Sequence, residues 1–280
     1  MTEFIKMHRK IGKVNAYYWE SDFDACRPTL IMIHGFRGDH HGMLKIAEKL
    51  GRKYNLFIPD LPGFGETQHI AGEKHNLELY IEFLRSFIKS LKLEEKPNLL
   101  AHSFGTTIVS AYAAKYGGEA NKIVLLSPIA ARPLPLILSP AAKPVFDLLR
   151  AMPDKLGRAF TANKLTTDFM SRTLTKTNDR ALRRWIVAEH RRFFGGFTSH
   201  RAMMEAMQAS NKHHVAEFAH AIANQTLIIA GNKDLIGKSK QQAKLVQVLP
   251  NSKVEVIKNV GHLTHYETPG EVATHVLKFI

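Results

Sequence analysis

The sequence predicts an α/β fold: a mostly parallel sheet with helices on both faces and a helical segment inserted between two late strands. Three observations carry that prediction. Short apolar runs at 29–33, 54–59, 122–126 and 226–230 show no polar alternation, as expected of strands buried on both faces. Between such runs lie segments whose apolar residues recur every three to four positions, and strands alternating with helices imply crossovers and a parallel sheet. The alternation fails once, between Ser127 and Asn224, where helical patterns continue without a clear strand. The expected organisation is a core over 1–127, a helical cap over 128–223 and the rest of the core over 224–280.

Taken in order, Phe4 to His8 and Val14 to Glu20 flank Gly12 and read as an antiparallel hairpin at a sheet edge. Thr29 to Ile33 is a continuous apolar strand that runs into His34-Gly35. A helix pattern follows over Met43 to Leu50, then a buried strand over Tyr54 to Pro59. That strand ends at Asp60-Leu61-Pro62-Gly63-Phe64-Gly65, a turn rich in breakers. Leu77, Tyr80, Ile81, Leu84, Phe87, Ile88 and Leu91 form one long helical stripe. Asn98-Leu99-Leu100 reads as a strand, Thr106 to Tyr116 as a helix, and Lys122 to Leu126, Thr226 to Ala230 and Val254 to Ile257 as strands. Thr268-Pro269-Gly270-Glu271 has the form of a capping box with proline at the first helical position, and Val272, Val276 and Phe279 supply the stripe of the final helix.

The most informative segment is Ala101-His102-Ser103-Phe104-Gly105, between a strand and a helix. A serine in that position, with small residues at both ends of the turn, is the sequence form of a nucleophile elbow. The sharp turn projects the hydroxyl above the sheet, and the small residues let strand and helix pack closely. Ala101 stands where the motif usually has glycine. A serine hydroxyl becomes an effective nucleophile when a base removes its proton, usually a histidine oriented by a carboxylate. In an open parallel sheet these groups belong on loops at the carboxyl ends of strands. Asp234 satisfies that rule in Gly231-Asn232-Lys233-Asp234, and His262 does so in Asn259-Val260-Gly261-His262. Ser103, Asp234 and His262 thus follow one another as nucleophile, acid and base.

Jointly, His34-Gly35 after one strand, the Asp60 to Gly65 turn after the next, the elbow serine, Asp234 and His262 resemble the α/β-hydrolase superfamily over nearly the whole chain. The resemblance implies a serine hydrolase of esterase or lipase type, with Ser103, Asp234 and His262 as its triad. It also implies an oxyanion hole from the backbone N–H groups of Phe36 and Phe104. His265, three residues after His262, is the rival base; the glycine before His262 favours His262. His102 is read as structural, because an elbow points consecutive side chains apart. Relatives that are dehalogenases or epoxide hydrolases use aspartate where this chain has Ser103.

No Gly-rich phosphate loop, paired cysteines or nicotinamide fingerprint occurs, so no cofactor is expected. His40-His41 is a weak metal candidate because no third ligand adjoins it in that reading, and no metal site is expected. Cys26 is the single cysteine and lies in an Asp-rich turn, a poor setting for a nucleophile. A lone cysteine, a start without a secretory apolar stretch and no run of ~18 apolar residues make the cytoplasm the expected location, without a membrane span. The net charge is +14, and 131–222 holds 15 Lys/Arg against 7 Asp/Glu. These basic residues form no dense run, so nucleic acid is not the expected partner; weak association of the cap with an acidic surface stays open. Within the cap, Phe193, Phe194, Phe197, Met203, Met204 and Met207 either line an acyl pocket or form the cap's own core.

The expected activity is hydrolysis of a small carboxylic ester through an acyl-enzyme on Ser103. Two alternatives stand beside it. One is a carbon–carbon hydrolase of the meta-cleavage type, whose anionic substrates suit the basic cap; relatives of that type tend to carry tryptophan where this chain has Leu263. The other is a binding or receptor protein with a slow or silent triad.

Overall fold

Strands that carry apolar residues on both faces need cover on both sides, and the fold supplies it with two helical layers. A computed structural model describes residues 2–131 and 143–280. Its sheet contains eight strands among the described residues: β1 (Phe4–Ile11), β2 (Val14–Ser21), β3 (Thr29–Ile33), β4 (Asn55–Pro59), β5 (Asn98–His102), β6 (Ile123–Leu126), β7 (Thr226–Gly231) and β8 (Ser252–Ile257). Their order is β1-β2-β4-β3-β5-β6-β7-β8. β1 pairs antiparallel with β2 from Phe4↔Ser21 to Ile11↔Val14, and β2 pairs antiparallel with β4. From β4 to β8 every pairing is parallel.

The period of two along each strand divides the core into two layers. Ile31, Ile33, Leu99, Ala101, Ile123, Leu125 and Ile228 face α2 (Leu77–Ser90) and α3 (Phe104–Tyr116), packing with Leu84, Phe87, Ile108 and Tyr112. Leu30, Met32, Leu56, Leu100, Val124, Leu227 and Ile229 face the other way, against Met43, Ile46 and Leu50 of α1 (His41–Leu50). Val272 and Val276 of α11 (Pro269–Phe279) complete that second layer. α2 starts where Asn76 accepts a hydrogen bond from the Leu79 amide at 3.0 Å, a side-chain cap for an otherwise unsatisfied N–H. β1, at the sheet edge, exposes most of its residues and carries Lys6, His8, Arg9 and Lys10, which protect the edge against further pairing.

The break in alternation corresponds to a helical insertion between β6 and β7. It contains α4 (Lys143–Ala151), α5 (Asp154–Thr161), α6 (Lys164–Leu174), α7 (Arg180–Phe193) and α8 (His200–Lys212). Residues 132–142 of the expected 128–223 segment lie outside the described residues. Asn163, Asp179 and Ser199 cap α6, α7 and α8 through their side chains. After the insertion come α9 (Ser239–Val248), between β7 and β8, and the one-turn α10 (Thr264–Glu267).

One cap differs from the sequence expectation. Pro269 occupies the start of α11, but Thr268 makes no side-chain cap bond to that helix. Its amide and hydroxyl both donate to the Thr264 carbonyl, at 3.0 and 3.4 Å. Thr268 closes α10, and that use excludes the capping box.

Candidate active site

The strand order reverses between β3 and β5, and loops leaving neighbouring strands in opposite directions there open a crevice at the carboxyl edge. Ser103 leaves β5 at this point with φ 51° and ψ −120°, a left-handed conformation that costs a non-glycine residue about 1–3 kcal/mol. Its amide donates to Leu126 at 3.1 Å and its carbonyl accepts from Thr106 at 2.9 Å, so the strained turn is held from both sides. A Cβ at Gly105 would stand 2.6 Å from the His34 carbonyl oxygen and 2.8 Å from that of Ile33. That close approach of α3 to β3 requires glycine. Ala101 sits within the sheet, paired with Ile33 and Leu125, where its methyl is accommodated in the core.

Asp234 follows β7 and His262 follows β8, and the turns bring both to Ser103. His262 Nδ1 lies 2.8 Å from Asp234 Oδ2, and His262 Nε2 lies 2.8 Å from Ser103 Oγ. With Asp234 accepting from Nδ1–H, Nε2 is left as the acceptor facing the serine hydroxyl. Asp234 Oδ1 accepts from the amides of Ile236 and Gly237, at 2.7 and 3.1 Å. Burial alone would push the Asp234 carboxyl up; the His262 ring and these two amides outweigh it and hold it below the usual range.

Phe104 is the first residue of α3, and Phe36 lies in the loop after β3. Neither backbone N–H donates to a protein group among the described residues. A Cβ at Gly35 would meet His102 Nδ1 and Ser103 Cβ at 3.0 Å each, so the Phe36 loop lies against the elbow. The neighbouring turn fixes that loop. Leu61 donates its amide to His34 Nε2 at 2.9 Å, which leaves Nδ1–H to donate to the Gly35 carbonyl at 2.8 Å. Asp60 Oδ1 accepts from the amide of His40 at 2.8 Å, while Oδ2 accepts from Glu66 at 2.9 Å.

His102 and His265 lie close to the serine turn with their rings against one another. His102 Nε2–H donates to the His262 carbonyl at 3.0 Å, and its ring lies 4.0 Å from that of His265. Burial, reinforced by the nearby His262 ring, pushes His102 down to about 3. Burial likewise lowers His265 well below the ordinary value, and takes His190 of α7 down to about 4. These three rings, with Phe36, Phe193, Phe194 and Leu263, line a cavity of about 40 Å³. The aromatic and methionine residues of the insertion therefore divide. Phe193 and Phe194 border this cavity, whereas Phe197, Met203 and Met204 are buried in the main core.

His40 and His41 have a third candidate ligand that the sequence reading overlooked although it directly precedes them: the carboxylate of Asp39, with one ligand atom from each residue within 4.8 Å of the others. Each group already has a protein partner. His40 Nδ1 meets Asp60 at 3.0 Å and its ring stacks on Trp19, while His41 Nδ1 meets Asp39 at 3.2 Å. Cys26 is exposed, with its amide on Asp24 Oδ1 at 2.9 Å, far in sequence from the elbow loops.

Two contacts that sequence reasoning missed tie the insertion to the His262 loop. The His262 amide donates to the Leu174 carbonyl at the end of α6, at 3.1 Å. Glu267 accepts from the Gly261 amide at 3.0 Å through Oε1 and from the Lys176 amide at 2.9 Å through Oε2. Burial raises the Glu267 carboxyl, and the backbone amides offset only part of that effect. Neither contact has a sequence signature, because both involve backbone groups distant in sequence.

Residues 28–269 match the family described by the alpha/beta hydrolase fold. The chain belongs to the α/β-hydrolase family. Among curated relatives, monoacylglycerol lipase ABHD6 of Rattus norvegicus is 22% identical over 97% of this chain and 83% of its own length. The structure of a thermophilic esterase from Thermogutta terrifontis superimposes with a TM-score of 0.76 at 22% identity, covering 99% of this chain and 97% of that one. That of 2-hydroxy-6-oxo-6-phenylhexa-2,4-dienoate hydrolase from Rhodococcus sp. strain RHA1 gives 0.77 at 15% identity, covering 100% and 99%. This α/β-hydrolase has no helix among its described residues long and apolar enough to cross a membrane.

Proposed function

We propose that this α/β-hydrolase cleaves carboxylic esters through an acyl-enzyme on Ser103. The observation that carries the reading is the continuous relay from Asp234 through His262 to Ser103, with both links at 2.8 Å. His262 Nε2 accepts the hydroxyl proton as Ser103 Oγ bonds to the carbonyl carbon. The electron pair of the carbonyl moves onto its oxygen, which accepts from the free N–H groups of Phe36 and Phe104. Collapse expels the alcohol, which takes the proton from His262. Water then attacks the acyl carbon, gives its proton to His262 and releases the acid, returning the proton to Ser103. Asp234 stays ionised throughout and holds the ring in its productive tautomer.

The ester class is supported by the relative named monoacylglycerol lipase and by the esterase among the solved folds. A chain-length series of p-nitrophenyl esters tests it. Turnover is expected in the wild-type protein and should fall by about 10⁶ in Ser103→Ala. Unchanged hydrolysis in that variant would refute the reading. The carbon–carbon alternative draws on the dienoate hydrolase that shares the fold. Leu263, packed with Tyr266 and Ile186, stands where hydrolases of that type tend to carry tryptophan, which favours esters. A higher kcat/KM on a dienoate ring-fission product than on any ester would reverse the ranking.

A further inference from the structure

The outer side of the insertion combines exposed apolar side chains with a cluster of arginines. α6 turns Leu165, Phe169 and Arg172 outward at positions i, i+4 and i+7, a single helical face. Leu165 is 83% exposed and Phe169 72%. Arg172 also borders a groove of about 530 Å³ that it shares with Arg180, Arg183, Arg184 and Arg191 of α7. Arg191 is paired with Asp168 at 2.7 Å, and Arg183 donates to the Thr177 carbonyl. Arg180 and Arg184 make no ion pair among the described residues. Leu156 and Phe160 repeat the exposed i, i+4 apolar pattern on α5.

We propose that the α6–α7 face docks on an anionic phospholipid surface. Leucine and phenylalanine side chains gain by entering the boundary between headgroups and acyl chains, while neighbouring arginines engage phosphates there. Guanidinium groups suit this role through planar, paired donors. Other occupants satisfy only half of the face. A nucleic acid or a small anion neutralises the arginines but leaves Leu165 and Phe169 in water. A second copy covers the apolar residues but sets one arginine cluster against another. The proposal goes beyond ester hydrolysis and does not require it. It also gives the docking helix a place in the molecule's wiring, since α6 ends at the Leu174 carbonyl that holds the His262 amide.

Flotation of the whole chain with phosphatidylcholine vesicles, with and without about 30 mol% phosphatidylglycerol, tests the proposal. Binding is expected only to the anionic vesicles and should weaken with added salt. Each arginine at such a surface contributes about a factor of five, so Arg180→Ala/Arg184→Ala lowers partitioning about 25-fold. Leu165→Ser/Phe169→Ser lowers it about tenfold or more by removing the apolar anchor. An unchanged thermal midpoint shows that both variants fold, independently of any hydrolysis. The proposal is overturned by no flotation at low salt, by equal flotation of the variants, or by binding to an oligonucleotide in place of vesicles. Self-association abolished by Leu165→Ser/Phe169→Ser, without vesicle binding, would overturn it by assigning the face to a second copy.

Discussion

At the carboxyl edge of the sheet, the groups around Ser103 answer one another: His262 meets Asp234, Asp234 meets two amides, and Glu267 meets two more. On the outer face of the insertion, Leu165, Phe169, Arg180 and Arg184 project without such partners among the described residues. One region buries polar groups and satisfies most of them internally, although Nδ1 of His190 and of His265 has no partner among the described residues; each unpaired group there costs about 1–3 kcal/mol. The other holds Arg183 and Arg191 through Thr177 and Asp168 but leaves Leu165, Phe169, Arg180 and Arg184 exposed. Substitutions should therefore separate the regions by both the size and the kind of their effect.

The largest expected effect is on turnover. Asp234→Asn cannot accept from His262 Nδ1–H in the same way, and kcat on a p-nitrophenyl ester should fall by about 10⁴. Arg180→Ala, on the insertion, should leave that kcat unchanged. Equal losses in the two variants would erase the distinction. Gly231→Ala comes next: its methyl group would collide with the carbonyl oxygens of Val260 and Gly261. Chemical denaturation should show destabilisation of about 3 kcal/mol. Glu267→Ala leaves the amides of Gly261 and Lys176 without their acceptor, at a cost of about 1–3 kcal/mol. We expect kcat to fall more than KM rises, because the displaced element is the His262 loop. Glu267→Gln keeps one acceptor oxygen and should be intermediate, whereas equal KM effects alone would count against a positioning role.

A smaller effect appears in the acid limb. His102 and His190 stay neutral in the folded state down to about 3 and about 4, whereas in the unfolded chain they take up protons from 6.5 downward. The unfolded state therefore binds more protons over that interval, so stability should fall as pH drops from 6.5 toward 4. Each such ring contributes about 1.4 kcal/mol per pH unit there. His190→Phe should flatten the slope of the thermal midpoint against pH; an unchanged slope would refute the assignment. Asp234 acts lower down: its contribution is complete above the usual aspartate value of 3.8 and is lost as pH falls through its lower folded-state value. The smallest effect is expected at Leu165→Ser, within about 0.5 kcal/mol of wild type, because an exposed leucine has little burial to lose.

The central strands were legible because burial on both faces leaves an unbroken apolar run, as in Leu227-Ile228-Ile229-Ala230 of β7. α9 went unread because Gln242 and Leu245 are its only buried residues, too few to set a period. Gln242 is buried for a polar reason, donating to the Pro128 carbonyl at 3.0 Å. The hydroxyl of Thr268 misled because two helix ends compete for it, and competition between neighbours in space has no linear signature.

Sequence by itself determined the layered α/β architecture and the chain order of Ser103, Asp234 and His262, since strand burial and loop position are encoded in local composition. Tertiary structure decided the 2.8 Å approaches within that trio, the bond from Leu174 to His262, the Glu267 bridge and the gathering of five arginines in one groove between α6 and α7. Those relations join atoms from 6 to 159 residues apart, or sort residues onto one helix face. They exist only once the packing of the two layers fixes where each loop and helix comes to rest.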